Sequence, residues 1–235
     1  MKKYGFTLAE VLITLVIIGI IAALTIPNLM QKYTEQTTVK KVQKFYSNLS
    51  NAYKLAMKDS GPVNEWGVIG WDKDSAIKVY DILFKPYFKI TKDCGTDNKG
   101  TCIANVVYKQ INNSNNTHYA SNTAYYKIVL EDGAAVWWRL ISSSQISVDY
   151  DVNGTKEPNQ WGKDSFIFVV KDDKVYPAGI PLNTVEFSPF SVYCKTTTGW
   201  GTGGWGCAAW VVYKGNMDYL HCDGLTWNSR SCKEK

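Results

Sequence analysis

Three sets of residues in this chain have types and spacings suited to chemistry. They are a single carboxylate, Glu10, inside an apolar run; an Asp149-x-Asp151-x-Asn153-Gly154 series followed by Asp164; and six cysteines. Glu10 lies in GFTLAEVLITLVIIGIIAALTIPNL, where no other side chain is ionisable. As a helix, Phe6–Ile26 reaches roughly 31 Å at about 1.5 Å per residue, close to the thickness of a bilayer's hydrocarbon core. A charge deep in such a helix costs about 2.5–3.5 kcal/mol on insertion scales and calls for a partner. The run supplies none, so the partner of Glu10 must come from outside it.

Asp149, Asp151, Asn153 and Gly154 fit D-x-[DN]-x-[DN]-G, the opening half of a calcium loop, in which alternating oxygens converge and the glycine allows a sharp turn. The glutamate that closes such a loop is replaced by Gln160; Asp164 stands slightly later to close the cage, and Glu157 offers a further oxygen. A metal-free turn competes with calcium, because Asp, Asn-Gly and Pro-Asn form turns unaided, and both readings stay open. Cys94, Cys102, Cys194, Cys207, Cys222 and Cys232 contain no C-x-x-C. Six cysteines allow 15 connectivities; spacing favours the local pairs Cys94–Cys102, Cys194–Cys207 and Cys222–Cys232. His118 and His221 lack metal-ligand spacing to one another, and His221-Cys222, the one tempting metal pair, reads better as part of a disulfide loop. No G-x-S-x-G, Walker or H-E-x-x-H motif occurs, so an enzyme is not expected.

The elements that must position these residues begin with a helix. Val39, Val42, Tyr46, Leu49, Tyr53 and Ala56 recur at alternating spacings of three and four, which lays them on one face. One long helix is therefore predicted from about Thr7 to about Lys58, with a kink at Pro27 and a stop at Ser60-Gly61-Pro62. A short helix is expected over Asp74–Phe84, then a turn-rich loop DCGTDNKGTC and a polar loop QINNSNNTH. AYYKIVL, AAVWWRLI, QISVDYD, SFIFVV and KVYPA read as strands, the first two joined at Glu131-Asp132-Gly133. Trp200, Trp205 and Trp210 offer an aromatic platform for a sugar, but tryptophans beside Cys207 suit a small stapled core better.

GFTLAEVLITLVIIGIIAALTIPNL resembles the N-terminal signature of type IV pilins and of type II secretion pseudopilins. The resemblance implies that a membrane prepilin peptidase cuts after Gly5 and that Phe6 becomes the N-methylated terminus. It also supplies the missing partner. The new amine of Phe6 meets Glu10 of a neighbouring subunit or of its own, and because an unpaired charge in low dielectric is costly, the pair sets the register of assembly. Some pseudopilins bind calcium in a loop, which bears on Asp149–Asp164, and the Cys222–Cys232 segment resembles the cysteine-bounded C-terminal region common in pilins.

The fold class this implies is α+β: a long N-terminal helix, half membrane-buried and half amphipathic, packed on an antiparallel β-sheet, with a disulfide-stapled C-terminal region. The layout is a leader (1–5), a transmembrane and assembly helix (6–31) and a globular domain (32–235). The last divides into an amphipathic helix half (32–59), a helix-loop region (60–124), the sheet (125–180) and a Cys/Trp-rich end (181–235). The basic flank stays in the cytoplasm, giving a single-pass inner-membrane protein that later enters an extracellular filament or periplasmic pseudopilus. Its partners are copies of itself and related pilins, the peptidase, the inner-membrane assembly platform and lipid. A net charge of +5 over 235 residues is too mild and scattered to indicate nucleic acid. The runner-up is a minor pilin acting as an adhesin or DNA-uptake component through the Trp-rich end. A third class, a tethered lectin or enzyme, predicts no cleavage after Gly5.

Overall fold

Helix α1 runs from Leu8 to Ser60, continuous through Pro27, and ends where the left-handed Gly61 (φ 73°) donates its N–H to the Met57 carbonyl at 3.0 Å. The computed structural model describes residues 5, 7–97, 101–182, 185–187, 189–195 and 203–233. It separates into two units, Met1–Thr37 and Thr38–Lys235. In the first, the apolar side chains of α1 from Leu8 to Met30 stand open, Leu8 78% exposed and Ile18 62%. In the second, α1 buries Val39, Val42, Phe45, Leu49, Tyr53 and Ala56. The expected stripe therefore needs one correction: Phe45, not Tyr46, is the buried aromatic, stacked on Tyr150 at 4.0 Å, while Tyr46 is only half-buried. Fully burying one such side chain contributes about 1.5–3 kcal/mol, so this face is what fixes the helix to its domain.

Six antiparallel strands form a meander in the order β1-β2-β3-β4-β5-β6: β1 Ile90–Gly95, β2 Tyr126–Leu130, β3 Ala135–Ser142, β4 Gln145–Asp151, β5 Ser165–Lys171 and β6 Lys174–Pro177. β1 is the strand that the sequence hides. It lies at an edge, its first four residues are no more than half-buried, and two register shifts interrupt its pairing with β2, so no alternation marks it. The sheet thus begins inside the segment read as helix and loop. The short helix is also redistributed. Asp72 caps α2 (Lys73–Val79), accepting from the Ser75 N–H and Oγ at 2.7 Å each, and a π-helical turn carries the chain on to Phe84.

Both faces of the sheet are covered. Ile128, Val136, Trp138, Val148, Phe166 and Phe168 meet α1 and α2, and Phe84 stacks on Trp138 at 4.0 Å. Trp137, Ile167 and Val169 on the opposite face lie in a second core with Tyr108, Tyr119 and Trp161. That explains strands buried at nearly every position (Ala135–Leu140, Ser165–Val170) instead of alternately. α3 (Phe190–Tyr193) and α4 (Ala208–Lys214) close the C-terminal part; AAWVVY is helical. The disulfides are Cys94–Cys102, Cys194–Cys207 and Cys222–Cys232.

Candidate functional site

At the N-terminus, Thr7 and Glu10 cap α1 reciprocally. The Thr7 N–H and Oγ1 each donate to Glu10 Oε2 at 2.8 Å, and the Glu10 N–H donates to Thr7 Oγ1 at 3.3 Å. This is a capping box, whose signature T-x-x-E stands in the sequence as Thr7-Leu8-Ala9-Glu10; the sequence reading passed over it. Both bonds from Thr7 fall on Oε2 and none from a described residue on Oε1, so one carboxylate oxygen is open to a further donor. Gly5 is exposed, and a Cβ added there would meet nothing within 4 Å. The fold therefore does not require a glycine at that position. Phe6 lies outside the described residues.

The Asp149–Asp164 stretch is polar but not a cage. Asp149 on β4 sits opposite Trp137 on β3, in the second core; burial pushes its carboxyl up to about 7, against the pull of Arg139. Asp151 accepts from the Asn153 N–H at 3.0 Å, Ser165 Oγ at 3.2 Å and the Tyr108 hydroxyl at 3.4 Å. Asp164 accepts from the Asn159 and Gln160 N–H groups at 2.8 and 2.7 Å and shares the single Ser165 hydroxyl proton with Asp151, its Oδ1 3.3 Å from Ser165 Oγ. Burial raises both, Asp164 to about 6, and Asp164 adds to the rise at Asp151.

The structure brings Asp151 and Asp164 together through Ser165, whereas Asp149 faces Arg139. Asn153 turns its Nδ2 to the Glu157 carbonyl, and Glu157 itself is exposed. Gln160 points its Nε2 at the carbonyls of Gln110 and Ile111. Among the described residues no three His, Cys, Asp or Glu side chains form a metal-sized group. Of the calcium set Asp149, Asp151, Asn153 and Asp164, the structure brings together Asp151 and Asp164, whose oxygens already accept bonds from protein donors, and leaves Asp149 beside Trp137.

The Trp-rich end supplies core more than platform. Trp210 is fully buried, stacked on Phe190 at 4.7 Å with its Nε1 on Asn216 Oδ1 at 2.7 Å. Trp205 is half-buried against Phe187 and Trp161, and Trp200 lies outside the described residues. His118 contacts Ser121 Oγ at 3.2 Å, and the disulfide removes Cys222 from any metal pair with His221.

Two buried cations escaped the sequence reading, although both interrupt apolar strands. The Lys127 ammonium, fully buried, gives its three protons to the carbonyls of Thr96, Asn122 and Tyr125 at 3.1, 2.8 and 3.0 Å; burial lowers it to about 8. Arg139, 7% exposed, donates its Nε to the Tyr125 hydroxyl at 2.8 Å and places Nη2 4.0 Å from Glu186.

Residues 1–26 match the model of the prokaryotic N-terminal methylation motif, which is the type IV pilin and pseudopilin signature. Residues 28–199 match the model of a Family of unknown function (DUF6613). No curated protein and no solved structure matches the chain.

Proposed function

The chain belongs to the Family of unknown function (DUF6613), and because the N-terminal methylation motif stands directly ahead of that region, we propose that it is a non-catalytic structural subunit of a type IV pilus or a type II secretion pseudopilus. That it is a pilin-like secreted subunit follows from the motif alone. In the finer reading, prepilin peptidase cuts after Gly5, Phe6 is methylated, and the helix of residues 6–31 holds the protein in the inner membrane until the assembly platform extracts it.

The observation that carries this reading is the pairing of a spare acceptor with an uncovered apolar helix. Glu10 Oε2 is committed to Thr7, while Oε1 accepts no bond from a described residue. Cleavage after Gly5 would place an ammonium one residue ahead of Thr7, on this subunit and on each neighbour. An ammonium brings three donors, enough to reach the open oxygen of the next subunit without breaking the cap. The exposed side chains from Leu8 to Met30 would exchange lipid for neighbouring helices, and Gly19, with nothing within 4 Å of its would-be Cβ, allows close approach.

Mass spectrometry of the mature N-terminus is the test. The expected product lacks residues 1–5 and carries one methyl group on Phe6; a chain that still begins at Met1 would end the assembly reading.

A further inference from the structure

We propose that Trp71, backed by Arg139 and two residues from the similarly exposed Ile69, is a carbohydrate platform that takes the apolar face of a pyranose ring. Trp71 has a φ of 57°, a left-handed conformation that bulky residues rarely adopt. The surroundings hold it there. The Trp71 N–H donates to the Leu140 carbonyl at 3.0 Å, and Gly70 lies so close to β3 that a Cβ on it would come within 2.8 Å of the Ile141 oxygen. A loop seated this tightly presents the indole outward: Trp71 is 57% exposed and Ile69 62%, whereas every other described tryptophan is buried or half-buried.

The ring is also rigid. The Arg139 guanidinium stacks on it at 4.2 Å, and Arg139 is itself held by Tyr125 and Glu186. Little freedom remains to be lost when a ligand arrives.

Size decides the class of ligand. At 57% exposure, a tryptophan of about 250 Å² offers roughly 140 Å², and Ile69 at most doubles that. A specific protein interface needs about 800 Å² per partner, so the patch is too small for a second subunit but suits one sugar ring. The chemistry agrees. The electron-rich indole face attracts the ring's C–H groups, and Glu186, its side chain 33% exposed, shares Arg139 with the indole and offers acceptors to a hydroxyl. Arg139 alternates with Trp138 and Leu140 along β3, so it lies on the sheet face opposite α1. The expectation that the platform stays accessible in a filament rests on the proposed function, but sugar binding by the isolated subunit does not, so the two can fail separately.

The test uses the full chain in detergent on a panel of immobilised hexose and N-acetylhexosamine oligosaccharides. The wild type is expected to bind at least one of them. Trp71→Gly, which keeps φ > 0 without strain, should bind at least tenfold more weakly, and Trp71→Tyr within a few-fold of wild type. Leader cleavage and filament incorporation should be unchanged in Trp71→Gly. Should that variant melt below wild type, Ile69→Ser, which leaves the indole in place, carries the test with binding at least threefold weaker. Wild type retained by no sugar on the panel, or a folded Trp71→Gly or Ile69→Ser that binds as wild type does, overturns the platform. So does a processed Trp71→Gly that fails to assemble, because the ring is then a subunit contact.

Discussion

Thr7 and Glu10 hold each other at the start of α1, with Glu10 Oε2 taking both the N–H and the hydroxyl of Thr7 at 2.8 Å. The carboxylate therefore has a task within its own helix before any neighbour arrives, and the two tasks separate by mutation. Glu10→Gln keeps an oxygen acceptor for Thr7 but loses the charge that would meet the Phe6 amine. Processing and membrane insertion should be intact, while the amount in sheared filaments falls at least tenfold. Glu10→Ala should lose both cap and pair. Thr7→Val should cost only the cap, about 0.5–2 kcal/mol, and still assemble. Normal filaments from Glu10→Gln would show that the cap, not the ion pair, is what assembly needs.

Burial at Asp149 makes stability depend on pH. Its carboxyl is held at about 7 in the folded chain, against about 3.9 when unfolded. A raised folded value means the folded state binds the extra proton, so the stabilisation is fully present below about 3.9 and is lost as pH rises through 7. Asp164, at about 6, acts in the same direction. Between pH 7.5 and 5 the detergent-solubilised chain should gain stability, by about 2–3 kcal/mol at most from Asp149. Lys127 titrates above this window. Asp149→Asn, which keeps the shape without the charge, should reduce the slope measured by thermal melting and leave the part due to Asp151 and Asp164; an unchanged slope would assign the effect elsewhere.

Calcium offers a second check on the same stretch. Because Asp151 and Asp164 are filled by protein donors and Gln160 is turned towards Gln110, we expect millimolar calcium to leave the melting temperature of the full chain unmoved. A site filled to a hundred times its Kd would add about 2.7 kcal/mol, several degrees and easily seen. Such a shift would mean that calcium displaces those donors.

Why the motif alone leaves the loop's geometry open is physical. D-x-D-x-N-G fixes a turn, and Gly154 is required there, since a Cβ would come within 2.7 Å of the Gly133 carbonyl. It does not say where the oxygens point, because Asp149 and Asp151 belong to a strand whose face is covered by Tyr108, Tyr119 and Trp161, residues from outside the sheet. The helix was legible because its period is local and Gly61 ends it. The hairpin strands were legible from Val, Ile and aromatic residues between turns. β1 was not, because Thr91, Lys92 and Asp93 are an edge's polar residues, whose pairing with β2 is a tertiary fact. Lys127 and Arg139 carried a signal that went unread: a cation inside an apolar strand.

The two C-terminal disulfides differ in access, and that difference predicts their order of loss. Cys194 and Cys207 are buried, Cys207 completely, with Gly162 so close that a Cβ there would come within 3.0 Å of its Sγ. Cys222 and Cys232 are half-buried near the chain end. Exchange requires a thiolate to reach the sulfur. Under native conditions with a mild reductant, alkylation followed by mass spectrometry should therefore find Cys222 and Cys232 labelled first and Cys194 and Cys207 only as the chain unfolds. The buried bridge is also the more consequential. It spans 13 residues, a loop for which closure contributes about 3 kcal/mol, and it ties α3 to the start of α4, where Ala209 donates to the Ala178 carbonyl behind β6. Replacing both Cys194 and Cys207 by serine should lower stability by about that amount in a denaturant titration. Labelling of the buried pair ahead of the terminal one would mean that the core around Phe190, Cys207 and Trp210 opens locally, without global unfolding.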